Sequence, residues 1–347
     1  GFWADMEHPY VTYYDDYIES EWWALKEIWN KKLLYKGFKI VPYCPRCGTP
    51  LSAQEVSQGY KTVKERSAVV RFKVVGEDAY FLAWTTTPWT LPSNIGLCVN
   101  PEETYAKVKA ADGYVYYMAE ALLDTVLGRL ADEEAGTPAY EVLETYKGKD
   151  LEYKEYEPLY DCAAKVAEKQ HKKAFYVTCD GYVTLTDGTG IVHIAPTFGA
   201  DDANVARAAG IPSLFMINKK GETRPMVDLT GKFYLLDELD ETFVKECVDV
   251  EKYKEYQGRW VKNAYDPQFT VDGKYDEKAA AAAESLDIYI CMMMKAGNKA
   301  FKIEKHVHNY PHCWRTDKPV LYYPLDSWFI RSTAAKERMM ELNKTIN

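Results

Sequence analysis

The stretch GTGIVHIAPTFGADD, residues 188–202, constrains the fold of this chain more than any other segment. The pair Asp187-Gly188 is a two-residue turn signal, because both residue types tolerate the positive φ of a tight hairpin turn. An alternating segment precedes the pair at 182–186, and an apolar segment follows it at 191–195. We therefore predict a β-hairpin that has these two segments as its strands.

A change of chain direction follows the second predicted strand. Pro196 ends that strand, because proline has no N–H to donate to a sheet. Residues 202–209 form a helical stretch that stops at Gly210. This order of elements brings His193 on the strand close to Asp202 at the helix start, and both are candidates for a functional site.

Local sequence also permits a purely structural interpretation of both residues. An Asp at a helix start commonly caps free N–H groups, and a single His among apolar neighbours is commonly a hydrogen-bonded structural residue. The Gly-Thr-Gly at 188–190 is not a dinucleotide fingerprint, because His193 occupies the position of its third glycine. An aspartic protease is excluded as well, because it would need two Asp-Thr-Gly copies and the chain has none.

A second polar segment follows a predicted strand earlier in the chain. Segments 68–75 and 80–84 read as strands joined by the turn 76–78. The second strand leads directly into three threonines and Pro88, which is typical of a loop at a sheet edge. Threonines also favour strands in general, but a row of them beside a proline offers hydroxyls that both donate and accept hydrogen bonds.

The sequence Cys44-Pro-Arg-Cys47-Gly48 is typical of a metal-binding knuckle. Two thiolates at this spacing can take adjacent corners of a tetrahedral zinc site, and the glycine allows the backbone to turn back. Half a site binds a metal poorly, so further ligands are needed elsewhere. Cys313 is the obvious candidate, and a knuckle held by packing alone is the alternative.

Composition is that of a globular protein with room for two or three domains. The 347 residues are 47% hydrophobic and 27% charged. The eight cysteines, two of them in Cys-x-x-Cys, indicate cytosolic thiols or a metal site rather than disulfides. No apolar run approaches the roughly 18–20 residues that span a bilayer, so we expect a cytoplasmic protein without a membrane segment. The net charge of −9 restricts any RNA contact to a local basic patch.

Helical periodicity predicts further elements. A helix that follows Asp15 and Asp16 carries a Trp-rich face, which we expect to be core. Its recurring apolar residues are Ile18, Trp22, Leu25 and Trp29. Other helices are predicted over 240–248, 276–294 and 337–343. Lys295, Lys299, Lys302 and Lys305 form a basic cluster that we interpret as a solvated face, with an RNA contact as the alternative.

Four blocks of the sequence resemble isoleucyl-tRNA synthetases, which are class I aminoacyl-tRNA synthetases. WTTTPWTLPSN at 84–94 and the block at 188–202 resemble the two halves of that family's editing site. YCPRCGTPLS at 43–52 and the segment 308–330 also match, in the family's order. The resemblance covers essentially the whole chain, with weaker support between about 215 and 300.

The resemblance implies a fragment that holds the inserted editing domain (CP1) and its flanking stems. The implied fold is α+β, with a β-rich editing-domain barrel, surrounding helices and a small helical, zinc-ribbon-like stem built from both chain ends. We expect an N-terminal stem at 1–61, the editing domain at 62–304 and a C-terminal return stem at 305–347. We also expect a monomer.

The implied function is post-transfer editing, the hydrolysis of mischarged Val-tRNA(Ile). A hydrophobic pocket separates side chains that differ by one methylene by only about 1–3 kcal/mol, and valine against isoleucine in this family is the established case. The implied partners are tRNA(Ile), valine and the rest of the parent chain. Neither His-x-Gly-His nor Lys-Met-Ser-Lys-Ser occurs, so we expect no amino-acid activation here, with ATP and Mg used only by the full-length parent enzyme.

The resemblance also implies roles for individual residues. Asp202 would hold the substrate's α-ammonium, and His193 would shape the side-chain pocket so that isoleucine does not fit. The predicted catalytic residues are Thr85, Thr86, Thr87 and Asp202. The predicted substrate-binding residues are Trp89, Thr90 and His193. The threonines would position the terminal adenosine, the ester and the attacking water, and no residue is a convincing general base.

The metal prediction rests on Cys44, Cys47 and Cys313. Family members often carry Cys or His at the position that Thr316 occupies here. His312 or His308 are the alternative ligands, so a structural zinc and a metal-free knuckle both stay open at this point.

Rival functions stay open too. Valyl- or leucyl-type editing domains carry Thr-Thr-Arg-Pro where this chain has Thr-Thr-Pro-Trp at 86–89. A non-catalytic tRNA-binding module is a second alternative. A metallohydrolase that uses His193 and Asp202 is a third, and it would lose its activity on chelation.

Overall fold

The computed structural model describes residues 3–132, 134, 136–162, 164–271 and 274–346. Two compact units are present: one holds the residues up to Lys39 and those from Leu325 onward, and the other runs from Ile40 to Pro324. The division into 1–61, 62–304 and 305–347 stays a prediction.

The regular elements are as follows. The strands are β1 (Leu34–Cys44), β2 (Thr49–Pro50), β3 (Tyr60–Lys73), β4 (Tyr80–Thr85), β5 (Gly96–Val99), β6 (Thr104–Ala110), β7 (Val115–Ala119), β8 (Tyr140–Lys147), β9 (Val177–Cys179), β10 (Ile191–Ile194), β11 (Met216–Ile217), β12 (Thr223–Arg224), β13 (Thr270–Val271), β14 (Lys274–Tyr275), β15 (Ala300–Pro311) and β16 (Leu321–Ile330). The helices are α1 (Asp15–Asn30), α2 (Ala53–Ser57), α3 (Leu123–Leu127), α4 (Lys165–Lys169), α5 (Ala200–Ala209), α6 (Glu241–Cys247), α7 (Val250–Tyr253), α8 (Glu277–Ala282), α9 (Leu286–Ala296) and α10 (Lys336–Asn343).

The smaller unit is built from both chain ends and contains α1 and α10. The predicted helix after Asp15 is present, but α1 buries none of its residues. Trp22 is 68% exposed and Trp29 is 57% exposed, so the expectation that the Trp-rich face is core is wrong for this structure. A small unit buries a smaller share of its surface than a large one does, which is consistent with an uncovered helix face.

The larger unit is organised around one mixed sheet. Its strand order within the described residues is β8-β6-β7-β4-β10-β5-β9, with β3 paired to β4 and β15 paired to β3. The sheet buries apolar side chains from β3 to β7, β9, β10 and β15, and short helices lie between these strands in the chain. This arrangement confirms the α+β class and the β-rich character of the predicted domain.

The pairing around β4 and β10 positions the two polar segments singled out in the sequence. The predicted hairpin of β3 and β4 is present, in antiparallel register from Ala68↔Thr85 to Lys73↔Tyr80. β10 runs parallel to β4, with Val192 opposite Trp84. Because parallel strands end at the same edge of a sheet, the segments that follow β4 and β10 emerge side by side.

The hairpin predicted at 182–186 and 191–195 is wrong. Residues 182–186 form no strand, because β10 already has a neighbour on each side, with β5 antiparallel and β4 parallel. Gly188 does adopt a positive φ of 76°, but its turn packs against the Trp84 ring. A side chain at Gly188 would begin 2.7 Å from that ring, so the turn serves close packing rather than strand reversal.

The helix predicted over 276–294 is two helices, α8 and α9. Ser285 separates them, and its hydroxyl accepts the Ile288 N–H in the first turn of α9. A serine cap of this kind starts a new helix, which the alanine-rich propensity of the segment conceals. The break brings Asp287 into the first turn of α9 and into the interior.

Of the lysines in the predicted basic cluster, Lys295, Lys299 and Lys305 are exposed and Lys302 is half-buried. The Lys299 ammonium donates to the Leu159 carbonyl at 2.7 Å, and Lys302 pairs with Glu304 at 2.8 Å. In the part of the chain that the structure describes, no helix has both the length and the apolar character needed to cross a membrane.

Candidate active site

A pocket of about 260 Å³ opens where the segments after β4 and β10 meet. Both polar segments of the sequence therefore contribute to one cavity. It is lined by Trp84, Thr85, Thr86, Thr87, Thr90, Val192, His193, Ala195, Phe198, Gly199 and Asp202.

The threonine segment is held by hydrogen bonds of its own. The Thr87 N–H donates to the Thr85 hydroxyl at 3.0 Å, and the Thr90 hydroxyl donates to the Thr87 carbonyl at 2.8 Å. A 3₁₀ turn, Pro88–Ser93, follows directly and is buried throughout. Thr86 lines the pocket and makes no hydrogen bond to other described residues, so its hydroxyl is available to a ligand.

His193 joins the second segment to the first. Its Nε2 lies 3.0 Å from the Thr90 hydroxyl oxygen. That hydroxyl already donates to Thr87, so Nε2 must carry the proton and donate, which leaves Nδ1 as a bare acceptor. Burial lowers the pKa of His193 to about 4, so the ring is neutral at physiological pH. His193 is therefore a fixed, uncharged part of the pocket wall.

Asp202 does not cap the helix on which it lies. Its Oδ2 accepts the Ala195 N–H at 2.8 Å. The N-cap residue of α5 is Gly199, and no side-chain capping hydrogen bond is present there. A side chain at Gly199 would begin 2.7 Å from the Asp202 carboxyl carbon, so the glycine makes room for this carboxylate. Burial raises the pKa of Asp202 to about 6, against the smaller effect of the Ala195 hydrogen bond. Here the local interpretation of Asp202 as a cap does not hold.

Most of the predicted site residues come together in this pocket, but Trp89 is not among its lining residues. Trp89 is 3% exposed and packs against Phe198, with ring centroids 4.8 Å apart. Sequence reasoning assigned no role to Trp84 or Phe198, which do line the pocket. Trp84 directly precedes the threonines, and Phe198 lies four residues before Asp202. Their closeness in sequence to predicted site residues was the signal that could have identified them.

A second group of chemical interest lies at the knuckle. The sulfur atoms of Cys44, Cys47 and Cys313 lie within 4.8 Å of one another, close enough to hold one metal ion. The knuckle turn is closed by the Gly48 N–H, which donates to the Cys44 carbonyl at 2.9 Å. Thr316 approaches as the fourth group, with its hydroxyl 3.4 Å from the Cys44 sulfur.

Neither alternative histidine joins the three cysteines. His312 directs Nδ1 to the Tyr310 carbonyl at 2.9 Å, and His308 lies beside Glu65 with a separation of 3.6 Å. Three thiolates fit the preference of zinc for sulfur, with the fourth position left to water or to the weak hydroxyl ligand of Thr316.

We predict that Thr316→Cys strengthens zinc binding at the knuckle. The change completes a four-thiolate set, so the variant should retain about one zinc ion per chain at chelator concentrations that strip the wild type. Metal content after dialysis against graded chelator measures this. Cys313→Ser should bind less zinc than wild type, and Cys247→Ser, a buried cysteine outside the cluster, should behave like wild type. Equal retention by Thr316→Cys and wild type would contradict the prediction.

Comparison with known proteins agrees with the resemblance. The model of the class I tRNA synthetases (I, L, M and V) matches residues 1–347. The isoleucine–tRNA ligase of Bacteroides thetaiotaomicron is 62% identical over 100% of this chain and 32% of its own length. That of Bacteroides fragilis strain ATCC 25285 is 56% identical over 100% of this chain and 31% of its own length. The chain therefore spans about a third of the length of these relatives.

Among solved structures, the editing domain of P. knowlesi cytosolic leucyl-tRNA synthetase is 15% identical, with a TM-score of 0.39 over 70% of this chain and 97% of that chain. This similarity is weak, and family membership does not depend on it. The chain belongs to the class I tRNA synthetases (I, L, M and V), and within that family it is similar to a segment of isoleucine–tRNA ligase.

Proposed function

We propose that this segment performs post-transfer editing, the hydrolysis of the ester that joins valine to tRNA(Ile). Its partners are then tRNA(Ile), the valyl group and the rest of a longer synthetase chain. Activation of isoleucine with ATP and Mg belongs to other parts of that chain. A monomeric protein in the cytoplasm is consistent with this role.

One observation carries the proposal. The two motifs, distant in sequence, line one pocket that holds a carboxylate, a row of threonine hydroxyls and a neutral histidine. An aminoacyl ester presents an ammonium, a carbonyl and a branched apolar side chain. The pocket offers a charge for the first, hydroxyls for the second and an apolar wall of Trp84, Val192 and Phe198 for the third.

In the proposed reaction, Asp202 binds the α-ammonium, and this charge-assisted hydrogen bond orients the ester. The hydroxyls of Thr86 and Thr87 place the attacking water and the terminal ribose. A threonine hydroxyl is too weak an acid to serve as general base near neutral pH, and burial lowers the pKa of His193 to about 4, which makes its imidazole a weak base. Orientation of water and ester, together with the ribose hydroxyl, therefore supplies much of the rate.

The rival functions differ in measurable ways. Pro88 follows Thr87, where valyl- and leucyl-type editing domains carry arginine, which favours isoleucyl-type editing. A binding-only module would hold tRNA without hydrolysing it. A metallohydrolase needs further ligands beside His193 and Asp202, and within the described residues the metal-ligand group that comes together is the cysteine cluster.

We predict that the purified chain deacylates Val-tRNA(Ile), weakly, and supports no isoleucine-dependent exchange of ATP with pyrophosphate. Release of labelled valine and the exchange assay measure the two activities. Chelator should leave deacylation unchanged, because the proposed mechanism uses no metal at the pocket. Deacylation that stays at the uncatalysed rate at high protein concentration would favour the binding-only module.

We predict that Asp202→Asn lowers deacylation about ten- to a hundredfold, because a charge-assisted hydrogen bond is worth about 1.5–3 kcal/mol. Wild-type kcat/KM should fall below about pH 6, where Asp202 takes up its proton and can no longer pair with the ammonium. The kcat/KM should also fall above about pH 8, where the substrate's α-amino group loses its proton. The acidic limb should be absent from Asp202→Asn.

Asp201→Asn is the matched control for this charge. Asp201 is exposed on the same first turn of α5 and does not line the pocket. Its variant should hydrolyse the ester at close to the wild-type rate at pH 7.5. Thermal stability should change little in Asp202→Asn, because an amide oxygen can also accept the Ala195 N–H. A large loss of melting temperature with intact hydrolysis would show that Asp202 is structural.

We predict that His193→Ala begins to hydrolyse Ile-tRNA(Ile) while it keeps activity on the valyl ester. One added methylene in an apolar pocket gains only about 0.8 kcal/mol, so steric exclusion by the imidazole must provide the discrimination. Rates on the two esters under single-turnover conditions measure the effect. Unchanged rejection of the isoleucyl ester would move the discrimination to another residue, with Thr90 tested next.

A further inference from the structure

A cluster of buried charges lies outside the lining of this pocket. Asp287 is 4% exposed and Lys262 is 6% exposed. The Lys262 ammonium lies 2.7 Å from a Glu65 carboxylate oxygen and 3.4 Å from Asp287 Oδ2. Burial of a charged group costs free energy, which an oppositely charged partner offsets. Removal of one partner therefore leaves the other as an uncompensated buried charge.

Asp287 uses its other oxygen on the threonine segment. The Trp89 N–H donates to Asp287 Oδ1 at 3.0 Å. Trp89 lies in the first turn of the 3₁₀ turn Pro88–Ser93, where a backbone N–H has no partner within the turn. Because Trp89 is buried, this amide would otherwise be an unsatisfied donor in the interior.

This hydrogen bond joins Trp89 and Asp287, which are 198 positions apart in the sequence. Asp287 is free to make it because Ser285, not Asp287, caps α9. The carboxylate in the first turn of α9 is thus aimed at another element instead of at its own helix. The Lys262 ammonium pairs with the other carboxylate oxygen, Oδ2, at 3.4 Å.

The position of this turn determines the pocket wall. Thr90, one residue after Trp89, donates to the Thr87 carbonyl and accepts from His193 Nε2. A shift of the Trp89 amide would therefore move Thr87, Thr90 and the ring of His193 together. Those residues face the substrate side chain and the ester in the proposed reaction.

We infer that Asp287 is a positioning residue of the editing pocket, which fixes the turn at Trp89 from α9 and so sets the pocket's discrimination between valyl and isoleucyl esters. This inference rests on the proposed function. Asp287 acts through the backbone of the threonine segment and does not touch the substrate.

The test compares Asp287→Ala with Asp287→Asn on both esters. The alanine variant should lower kcat on Val-tRNA(Ile) by about tenfold or more, as expected for an unsatisfied buried amide in a displaced wall. It should also reduce the ratio of valyl to isoleucyl hydrolysis severalfold, while KM for the tRNA stays unchanged. The asparagine variant keeps an acceptor for the Trp89 N–H and should retain most of the ratio.

Asp240→Ala is the matched control. Asp240 also accepts one backbone N–H, that of Phe243 at 2.8 Å at the start of α6, and it does not line the pocket. Its loss should lower the melting temperature without any change in the ratio. The inference is overturned if Asp287→Ala lowers the melting temperature and leaves the ratio at the wild-type value, or if Asp287→Asn loses the ratio as fully as alanine does.

Two further measurements keep the result decisive. If Asp287→Ala does not fold, Asp287→Glu replaces it, since one added methylene keeps the charge but displaces the oxygen from the Trp89 N–H. An unchanged ratio in that variant overturns the inference. Amide hydrogen exchange over residues 84–94 reports on the Asp287–Trp89 hydrogen bond without any need for activity. The exchange rate should rise about tenfold in Asp287→Ala and Asp287→Glu. If the wild type hydrolyses neither ester, the proposed function fails, and exchange alone then decides whether Asp287 holds the turn.

Discussion

The parallel pairing of β4 with β10 is the constraint on which the pocket depends. It places Val192 opposite Trp84, so that the threonine segment and the segment from Ala195 to Asp202 leave the sheet at the same edge. Antiparallel pairing would have sent the two segments to opposite edges. The remaining contacts of the site, including the bond from His193 to Thr90, are consequences of this arrangement.

The electrostatics of the pocket follow from burial that acts on two groups in opposite directions. Burial raises the pKa of Asp202 and lowers that of His193, because the charged form is disfavoured in both. The fold therefore favours a protonated Asp202 at acidic pH, and this contribution to stability is lost as the pH rises through about 6. The neutral His193 contributes stability above its unfolded pKa, which is lost as the pH falls toward about 4. At neutral pH the ionised Asp202 carboxylate is therefore destabilised by desolvation, and a cationic ligand would stabilise it.

The same chain shows where periodicity stops being informative. The apolar spacing of α1 predicts a helix, and the helix is present from Asp15 to Asn30. Spacing does not say what covers the helix, and the Trp-rich face is exposed here. In the larger unit, an alanine-rich segment predicts one long helix, yet the cap at Ser285 divides it and turns Asp287 inward. Helix propensity is a local preference of the residues in a segment, whereas burial depends on which residues lie nearby in the folded structure.

What the sequence determined by itself is the set of local elements and the chemistry of the motifs. The β3–β4 hairpin, the knuckle at Cys44 and Cys47, and the helix ending at Gly210 follow from turn, cap and strand rules that operate within a few residues. The predicted catalytic and substrate-binding residues, all but Trp89, line one pocket.

Only the tertiary structure decided which partners the polar groups take. It gives β10 the neighbours β4 and β5 instead of a hairpin strand, directs Asp202 to Ala195 instead of to its own helix, and brings Thr316 to the cysteines. It also joins Asp287 to Trp89 across the chain. The physical reason is that each buried donor or acceptor must find a partner, and the choice among distant partners depends on how the sheet and helices pack, which no local rule encodes.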